Sequence, residues 1–343
     1  MENDVSLIIK RVKLLFAALC FVPFFTTLLF ATETPYPISE QEINTWRLTE
    51  VPYPESNPNQ KAVEELGKQL FFDPRLIGDR TFSCAACHFP GTGWSDPHPN
   101  KIKNTQGMDR QAPSLINVAF QKAFFWDGRS KTLEDAIEVH LKELSFTSGY
   151  KTSALPQAYQ QKFLHIFGSS SASSTNIAKA ISNFLRTIVV QDSPFDRWVA
   201  GDASALSQSA RQGFLLFIGK AECSKCHSAP NFSDSKFHNI GLNTLDPGHL
   251  DVSQKKVDKG RFRTSSLRQI SRTPPYMHTG TKKTLMAVIE FYSHGGDRHE
   301  PGNELKVLNL TEQEERELLD FLTSLTGSNS SIVIPQMPIS NSP

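Results

Sequence analysis

The chain carries the five-residue pattern C-x-x-C-H twice, at Cys84–His88 and at Cys223–His227. This pattern is the attachment signature of a c-type haem, in which both thiols add to haem vinyl groups and the following imidazole binds the iron. Two thiols three positions apart lie on the same side of a helical turn, so the spacing suits this chemistry. The sequence therefore predicts two covalent haems. The predicted attachment residues are Cys84, Cys87, Cys223 and Cys226, and the predicted proximal ligands are His88 and His227.

Disulfides and zinc sites are the other common uses of paired cysteines. The chain has five cysteines, and Cys20 lies in a segment that is predicted to be removed. An exported protein can join the remaining four as disulfides. A compact zinc site fits poorly, because 136 positions (223 − 87) separate Cys87 from Cys223. The histidine that directly follows each cysteine pair favours haem over both alternatives.

The first 31 residues have the composition of a secretory signal. Basic residues at positions 10, 11 and 13 precede the apolar run Leu14–Leu29, and a small residue follows at Ala31. The alternative is a membrane anchor, for which a short run interrupted by Pro23 is marginal. Cleavage near Ala31 predicts an exported, periplasmic protein.

The remaining chain is electrically neutral. Removing the segment takes three of 36 basic and two of 35 acidic residues, which leaves 33 of each. A balance of this kind excludes a basic nucleic-acid binder and an acidic disordered protein.

Helical periodicity marks four segments along the chain: 59–72, 176–190, one that begins at Ser207, and one that begins with a Thr311/Glu314 capping box and ends at Gly327. Residues 328–343 are rich in Ser, Asn and Pro and are predicted to be disordered. No strand pattern is sustained anywhere. We therefore expect a mostly α fold with long loops.

An internal repeat divides the chain into two similar halves. Shifting the sequence by 152 positions places residues 112–140 on 264–292 without a gap, with eight identities in 29 positions. The identical pairs are Ser114/Ser266, Leu115/Leu267, Gly128/Gly280, Lys131/Lys283, Thr132/Thr284, Leu133/Leu285, Ile137/Ile289 and Glu138/Glu290. The repeat predicts two homologous haem domains, 59–203 and 204–327, after an N-terminal extension at 32–58.

Several runs of residues resemble one known family. In the first half these are GKQLFFDPRL from Gly67, SCAACH, APSLINVAF and the run Phe125–Arg129; in the second half they are KGRFR from Lys259, SLRQI and the run Pro275–Gly280. They resemble the bacterial dihaem cytochrome c peroxidases and their MauG relatives, in the family's order, from about residue 60 to residue 327. The resemblance implies two c-type cytochrome domains packed around two haems. It also implies that the haem on His88 reacts with peroxide and that the haem on His227 transfers electrons.

The resemblance assigns the sixth ligand of the second haem to Tyr292. The peroxidases have a methionine at this position, whereas the MauG branch has a tyrosine, and a phenolate favours ferric iron. The alternative is that Tyr292 is only part of the core and that Met277 or another residue is the ligand.

Two further sites are implied by the resemblance alone. Trp126 matches the family's tryptophan between the two haems, where an aromatic ring relays charge; the alternative is a structural tryptophan. Thr273 and Pro275 match positions whose carbonyls bind calcium, although Gln111 replaces the asparagine that completes that site.

The distal side of the first haem departs from the family. Ala136 and His140 replace the family's glutamine and proline, which leaves His140 and Glu143 as the groups able to move the protons of peroxide. The alternative is a solvated helix face. His98 is a candidate displaceable ligand, but it does not align with the family's histidine.

Three functions remain open. The first is a periplasmic peroxidase that reduces hydrogen peroxide with electrons from a small cytochrome c or copper protein. The second is a MauG-like oxidase that modifies side chains of a partner protein through a high-valent haem pair. The third is a plain electron carrier, which the peroxidase motifs disfavour. The resemblance also implies a homodimer.

Overall fold

A computed structural model describes residues 38–76, 83–98, 110–148, 155–298, 301–328 and 333–338, with side chains for all of these except residues 145–148. The predicted signal at 1–31 lies outside the described residues. Residues 40–343 group as one compact unit. This grouping does not test the predicted division near residues 201–206, which stays a prediction.

The described chain is mostly helical, as predicted. The helices are α1 (Glu40–Asn44), α2 (Lys61–Phe72), α3 (Cys84–Cys87), α4 (Leu133–Ser148), α5 (Gln157–Phe167), α6 (Ser174–Leu185), α7 (Pro194–Val199), α8 (Gln208–Ile218), α9 (Leu250–Ser253), α10 (Leu285–Ser293) and α11 (Glu312–Ser324). Two short antiparallel strands, β1 (Phe237–His238) and β2 (Phe262–Arg263), form the one sheet found among the described residues. Within the described ranges, no helix is long and apolar enough to cross a membrane.

Each half contains a pair of helices that cross at a glycine. In the first half a Cβ atom on Gly67 of α2 would lie 1.8 Å from the carbonyl oxygen of Ala180 in α6. In the second half a Cβ atom on Gly213 of α8 would lie 1.9 Å from the carbonyl oxygen of Glu317 in α11. No side chain fits at either crossing, so glycine lets the two backbones touch.

Two apolar clusters surround these crossings. The first cluster is built mainly from α2, α4 and α6, and Phe71 and Phe163 are among its fully buried members. The second is an aromatic cluster around α8 and α11, whose rings belong to Trp46, Phe195, Phe214, Phe217, Phe232 and Phe321. Trp46 comes from the predicted N-terminal extension, so that segment contributes directly to the core of the second half.

The predicted repeat is confirmed in the backbone. Asn117 and its counterpart Gln269 both have left-handed φ values, of 53° and 59°, and each precedes a single 3₁₀ turn. The bridge between Phe124 and Ser130 recurs between Tyr276 and Lys282. Helices α4 and α10 then begin at Leu133 and Leu285, which are one repeat apart.

Two predicted helix ends are wrong by a few residues. The segment predicted over 176–190 is helical only to Leu185, because the backbone of Val190 is hydrogen-bonded to the Asn117 side chain instead of continuing the helix. Asn117 Oδ1 accepts from the Val190 N–H (2.8 Å), and Asn117 Nδ2 donates to the Val190 carbonyl (2.9 Å). The last helix has the predicted capping box at Thr311 and Glu314 but ends at Ser324, before Gly327.

Part of the C-terminal tail contacts the first half of the chain. Gln69 Nε2 donates to the Gln336 carbonyl (3.2 Å), Arg75 Nη2 donates to the Pro338 carbonyl (2.9 Å), and Met337 packs against the first apolar cluster. Residues 336–338 of the segment predicted to be disordered therefore have defined partners in the structure.

Candidate haem sites

The first C-x-x-C-H motif forms the short helix α3 and the residue after it. Both cysteines are on this single turn, and the main-chain N–H of His88 donates to the Cys84 carbonyl (2.9 Å). His88 Nδ1 lies 3.2 Å from the carbonyl oxygen of Trp94. Since a carbonyl only accepts hydrogen bonds, Nδ1 carries the proton, and the lone pair of Nε2 is left for a metal.

The second motif repeats this arrangement. Cys223–Lys225 form a 3₁₀ turn, and His227 Nδ1 lies 3.0 Å from the Phe232 carbonyl oxygen. Trp94 and Phe232, the two residues whose carbonyls hold the imidazoles, both have left-handed backbone conformations. Such hydrogen bonds to the outer nitrogen orient a ligating histidine and set its tautomer.

Charge and bonding at both motifs suit c-type haem. Burial, together with the nearby His140, lowers the pKa of His88 to about 4, and burial also lowers the pKa of His227. Both imidazoles are therefore neutral at neutral pH, as ligation requires. None of the four described cysteines forms a disulfide. Among the described residues, no group of three or more His, Cys, Asp or Glu is placed to hold a metal ion.

A cavity of about 280 Å³ adjoins the first motif. Cys84, Cys87 and His88 form part of its wall, and much of the rest is apolar, from residues of α4 and α6 such as Leu133 and Leu185. The polar side chains on its wall include Trp126, Arg129, His140, Glu143 and Arg263. An apolar cavity with two thiols and a neutral imidazole at its wall has the donor set that a covalent haem needs.

His140 and Glu143 both face this cavity from α4. His140 Nδ1 lies 3.8 Å from Glu143 Oε2 and makes no hydrogen bond within the described residues. The His140 side chain is 43% exposed, so this part of α4 is neither fully solvated nor closed off. The two residues are thus brought together, as the distal-side prediction requires, although their catalytic role stays a prediction.

Arg129 is a cavity residue for which the sequence predicts no role. Its Nη2 lies 3.1 Å from Glu143 Oε2, and its guanidinium stacks 3.5 Å from the centroid of the Phe125 ring. Burial alone raises the pKa of Glu143, but the interaction with the nearby His140 imidazole and the charge of Arg129 outweigh burial and leave that pKa lowered. Glu143 is therefore a carboxylate at neutral pH. Its place in the run Phe125–Arg129, which resembles the family, is the sequence signal that points to Arg129.

Trp126 lies where the two halves of the chain meet. Its Nε1 donates to the Gln111 carbonyl (2.7 Å), its carbonyl accepts from the Arg263 N–H (2.9 Å), and its ring centroid lies 6.1 Å from that of His278. The ring also forms part of the cavity wall. This placement is compatible with the predicted relay and with a structural role.

The other sequence candidates have different environments. Gln111, at the predicted calcium site, uses its Nε2 to donate to the Asp96 carbonyl (2.9 Å), while Thr273 is buried. His98 is exposed and donates its main-chain N–H to Asp96 Oδ1 (2.7 Å). Neither observation supplies a set of metal ligands.

Tyr292 lies close to the second motif. It projects from α10, which begins where predicted, with Thr284 Oγ1 accepting from the Ala287 N–H (3.1 Å). Burial, followed by the neighbouring Cys223 and Cys226 thiols, raises the pKa of Tyr292. The structure thus places this phenol beside the predicted haem attachment site, and ligation itself stays a prediction.

The comparisons with known proteins identify the family of this chain. The family model described as di-haem cytochrome c peroxidase matches residues 61–204. The methylamine utilization protein MauG of Methylorubrum extorquens is 37% identical over 84% of this chain and 85% of that protein. The cytochrome c551 peroxidase of Nitrosomonas europaea is 32% identical over 83% of this chain and 86% of that protein.

Solved structures show the same fold. A MauG-like protein associated with microbial copper homeostasis matches with a TM-score of 0.66 and 28% identity, over 82% of this chain and 95% of that one. The dihaem peroxidase BthA from Burkholderia thailandensis matches with a TM-score of 0.65 at 20% identity, over 82% and 89% of the two chains, which indicates the fold alone. The chain is therefore an oxidoreductase with two c-type haems, and it belongs to the dihaem cytochrome c peroxidase and MauG family.

Proposed function

We propose that this protein is a periplasmic peroxidase that reduces hydrogen peroxide to water with electrons from a small cytochrome c or copper protein. The observation that carries the proposal is the cavity that His88, His140, Glu143 and Arg129 share. It joins a neutral imidazole, suited to bind iron, to a carboxylate and a second imidazole, suited to move protons.

Cys84, Cys87 and His88 would hold the first haem, and Cys223, Cys226 and His227 the second. When bound, the haems supply the redox chemistry, accepting oxidising equivalents from peroxide and electrons from the donor. In this proposal residues 59–203 form the peroxidatic domain and residues 204–327 the electron-transfer domain.

The cavity residues manage the protons. Peroxide takes up two electrons and two protons and leaves as two waters, and its cleavage needs one group that removes a proton from one oxygen and returns it to the other. Glu143 is ionised and can accept that proton. His140, 3.8 Å away, can pass it on, and Arg129 holds the carboxylate in place at 3.1 Å.

Two measurements test the proposal. The intact mass of the exported protein should exceed that of the processed polypeptide by two haems, and a mass with one haem or none would overturn the cofactor assignment. Steady-state peroxide consumption with a reduced small cytochrome should then be fast. The variant in which both Cys223 and Cys226 are replaced by alanine should still react with peroxide but should lose rapid donor turnover.

A second function is favoured by Tyr292. Its phenol lies beside the second motif, at the position where the MauG branch has a tyrosine, and the MauG protein of Methylorubrum extorquens is 37% identical to this chain. The alternative is that peroxide drives the oxidation of side chains on a partner protein. Slow oxidation of a small cytochrome, together with peroxide-dependent modification of a partner, would select this function.

Two proposals concern the surroundings of the sites. Export rests on the signal-like segment at residues 1–31, and a processed N-terminus near Ala31 would support it. Calcium binding rests only on Thr273 and Pro275, and removal of calcium by a chelator should change the spectrum of the oxidised protein if the site exists.

A further inference from the structure

Three buried arginines have carboxylate partners within the chain. Arg110 contacts Asp127 and Asp246 at 2.6 and 2.7 Å. Arg186 contacts Glu134 at 2.6 Å, and Arg268 contacts Asp196 at 2.6 Å. Each of these guanidinium groups is thus neutralised by the protein.

Arg263 is the exception. It is 3% exposed, yet the hydrogen bonds that its side chain makes with described residues are all to carbonyl oxygens: Nε donates to the Phe125 carbonyl (3.1 Å) and Nη1 to the Thr264 carbonyl (3.0 Å). Among the described residues no carboxylate forms an ion pair with it. Burial lowers the pKa of Arg263 to about 10 and is the cause of that shift, whereas the carboxylates around Arg110 raise the pKa of that residue despite burial.

A buried cation without an anion is costly. Transfer of an ionised group from water into a protein interior is strongly unfavourable unless an opposite charge and hydrogen bonds compensate for it. Two carbonyl groups satisfy hydrogen-bond donors but do not neutralise the charge. The position of Arg263 therefore indicates that an anion is present in the assembled protein.

The location of Arg263 identifies that anion. The residue forms part of the wall of the cavity that also contains Cys84, Cys87 and His88. A haem attached there brings two propionate carboxylates into a cavity whose walls are otherwise largely apolar. Hydrogen peroxide is neutral and does not supply the missing charge.

We propose that Arg263 binds a propionate of the haem attached at Cys84 and Cys87, and so links the second half of the chain to the cofactor of the first. Its main-chain N–H donates to the Trp126 carbonyl (2.9 Å) and its Nε to that of Phe125, so the guanidinium is held across the junction of the two halves. Arg263 is in this role a positioning residue. The inference rests on the haem placement proposed above.

The holoprotein with ¹³C-labelled haem propionates allows a direct test. Redox-difference infrared spectra are recorded over the pH range in which carboxyl groups titrate, at potentials where only the first haem changes state. We expect at least one propionate of the wild type to stay ionised across the neutral range. Neutral-range titration of both propionates in the wild type would overturn the proposal, even if no variant folds.

Two variants separate charge from shape. In Arg263→Gln one propionate should titrate at higher pH, and the midpoint potential of the first haem should fall and become pH-dependent, because a neighbouring cation favours the reduced state. Arg263→Lys should restore most of the wild-type behaviour. The matched control is Arg186→Gln, which removes a buried arginine with a protein partner and should leave the propionate bands unchanged.

The outcomes are distinguishable from failure of the proposed function. Wild-type bands and potentials in Arg263→Gln, or a change confined to the second haem, would refute the role of Arg263 and leave the peroxidase proposal intact. Absence of haem from the intact mass would instead refute the haem placement on which the inference depends.

Discussion

The substitution Glu143→Gln distinguishes a role of Glu143 in proton transfer from a role in maintaining the structure. Glutamine has nearly the same shape as glutamate but carries no charge and is a poor base. In the structure the carboxylate oxygen Oε2 lies 3.1 Å from Arg129 Nη2 and 3.8 Å from His140 Nδ1. The glutamine amide oxygen can still accept a hydrogen bond from Arg129, so the side chain should keep its place.

The structure predicts a large loss of rate and a small loss of stability. A positioned general acid–base group is worth about 10²–10⁴-fold in rate, which corresponds to about 3–5 kcal/mol of activation free energy. The side chains of Arg129 and Glu143 are 25% and 27% exposed. Ion pairs that are partly exposed to solvent in this way contribute about 0–1 kcal/mol to the free energy of folding. We therefore expect the substitution to raise the activation free energy of the peroxide reaction by much more than it lowers the free energy of unfolding.

The assay is stopped-flow mixing of the holoprotein with peroxide at several pH values, alongside thermal unfolding. Glu138→Gln is the matched control, because Glu138 lies on the same helix but not on the cavity wall. The pKa of Glu143 is lowered, so the wild-type rate should be flat at neutral pH and fall only below the usual range of a glutamate. The variant should lack this acid limb.

Equal rates in wild type and Glu143→Gln would refute the assignment of Glu143 as the base. An acid limb that persists in the variant would show that another group titrates. A large drop in unfolding temperature together with the loss of rate would indicate a structural role instead.

Three further substitutions test separate parts of the structure. Tyr292→Phe should change the low-spin ferric electron paramagnetic resonance signal of the second haem, and a wild-type signal would move the ligand assignment to Met277. His140→Ala should change the spin state of the first haem or slow its reaction with peroxide, whereas an unchanged spectrum and rate would place His140 on a solvated face. Gly67→Ala and Gly213→Ala should each lower the free energy of unfolding by at least about 1–3 kcal/mol, measured by denaturant titration, because a Cβ atom would overlap a carbonyl oxygen of the crossing helix; full stability in either variant would contradict the close crossing.

Much of the fold follows from local patterns. The start of α11 at its capping box and the start of α10 after Thr284 depend on side chains within three or four positions of the backbone groups that they cap. The repeat offset of 152 predicts that both halves share turn geometry, and the paired left-handed residues confirm it. Local hydrogen bonding and steric limits act within a few residues, so the sequence alone is enough to predict their effects.

Distant contacts account for the errors. Helix α6 ends at Leu185 rather than Val190 because of a side chain 73 positions earlier, that of Asn117. Trp46, in a segment predicted to be a simple extension, packs 4.8 Å from the ring of Phe232. No periodicity within either segment signals these partners.

The sequence by itself predicts the covalent chemistry of this protein: each C-x-x-C-H motif places two thiols and an imidazole within five consecutive residues, a spacing that does not depend on the fold. It also determined the family, through runs of residues in a common order. Only the tertiary structure decided what surrounds the first motif. It brings Arg129 and Glu143 together across 14 positions, and it brings Arg263 from the other half of the chain to the carbonyl of Phe125, 138 positions earlier. Burial creates the uncompensated charge of Arg263, and burial is a property of the packed chain rather than of any local pattern.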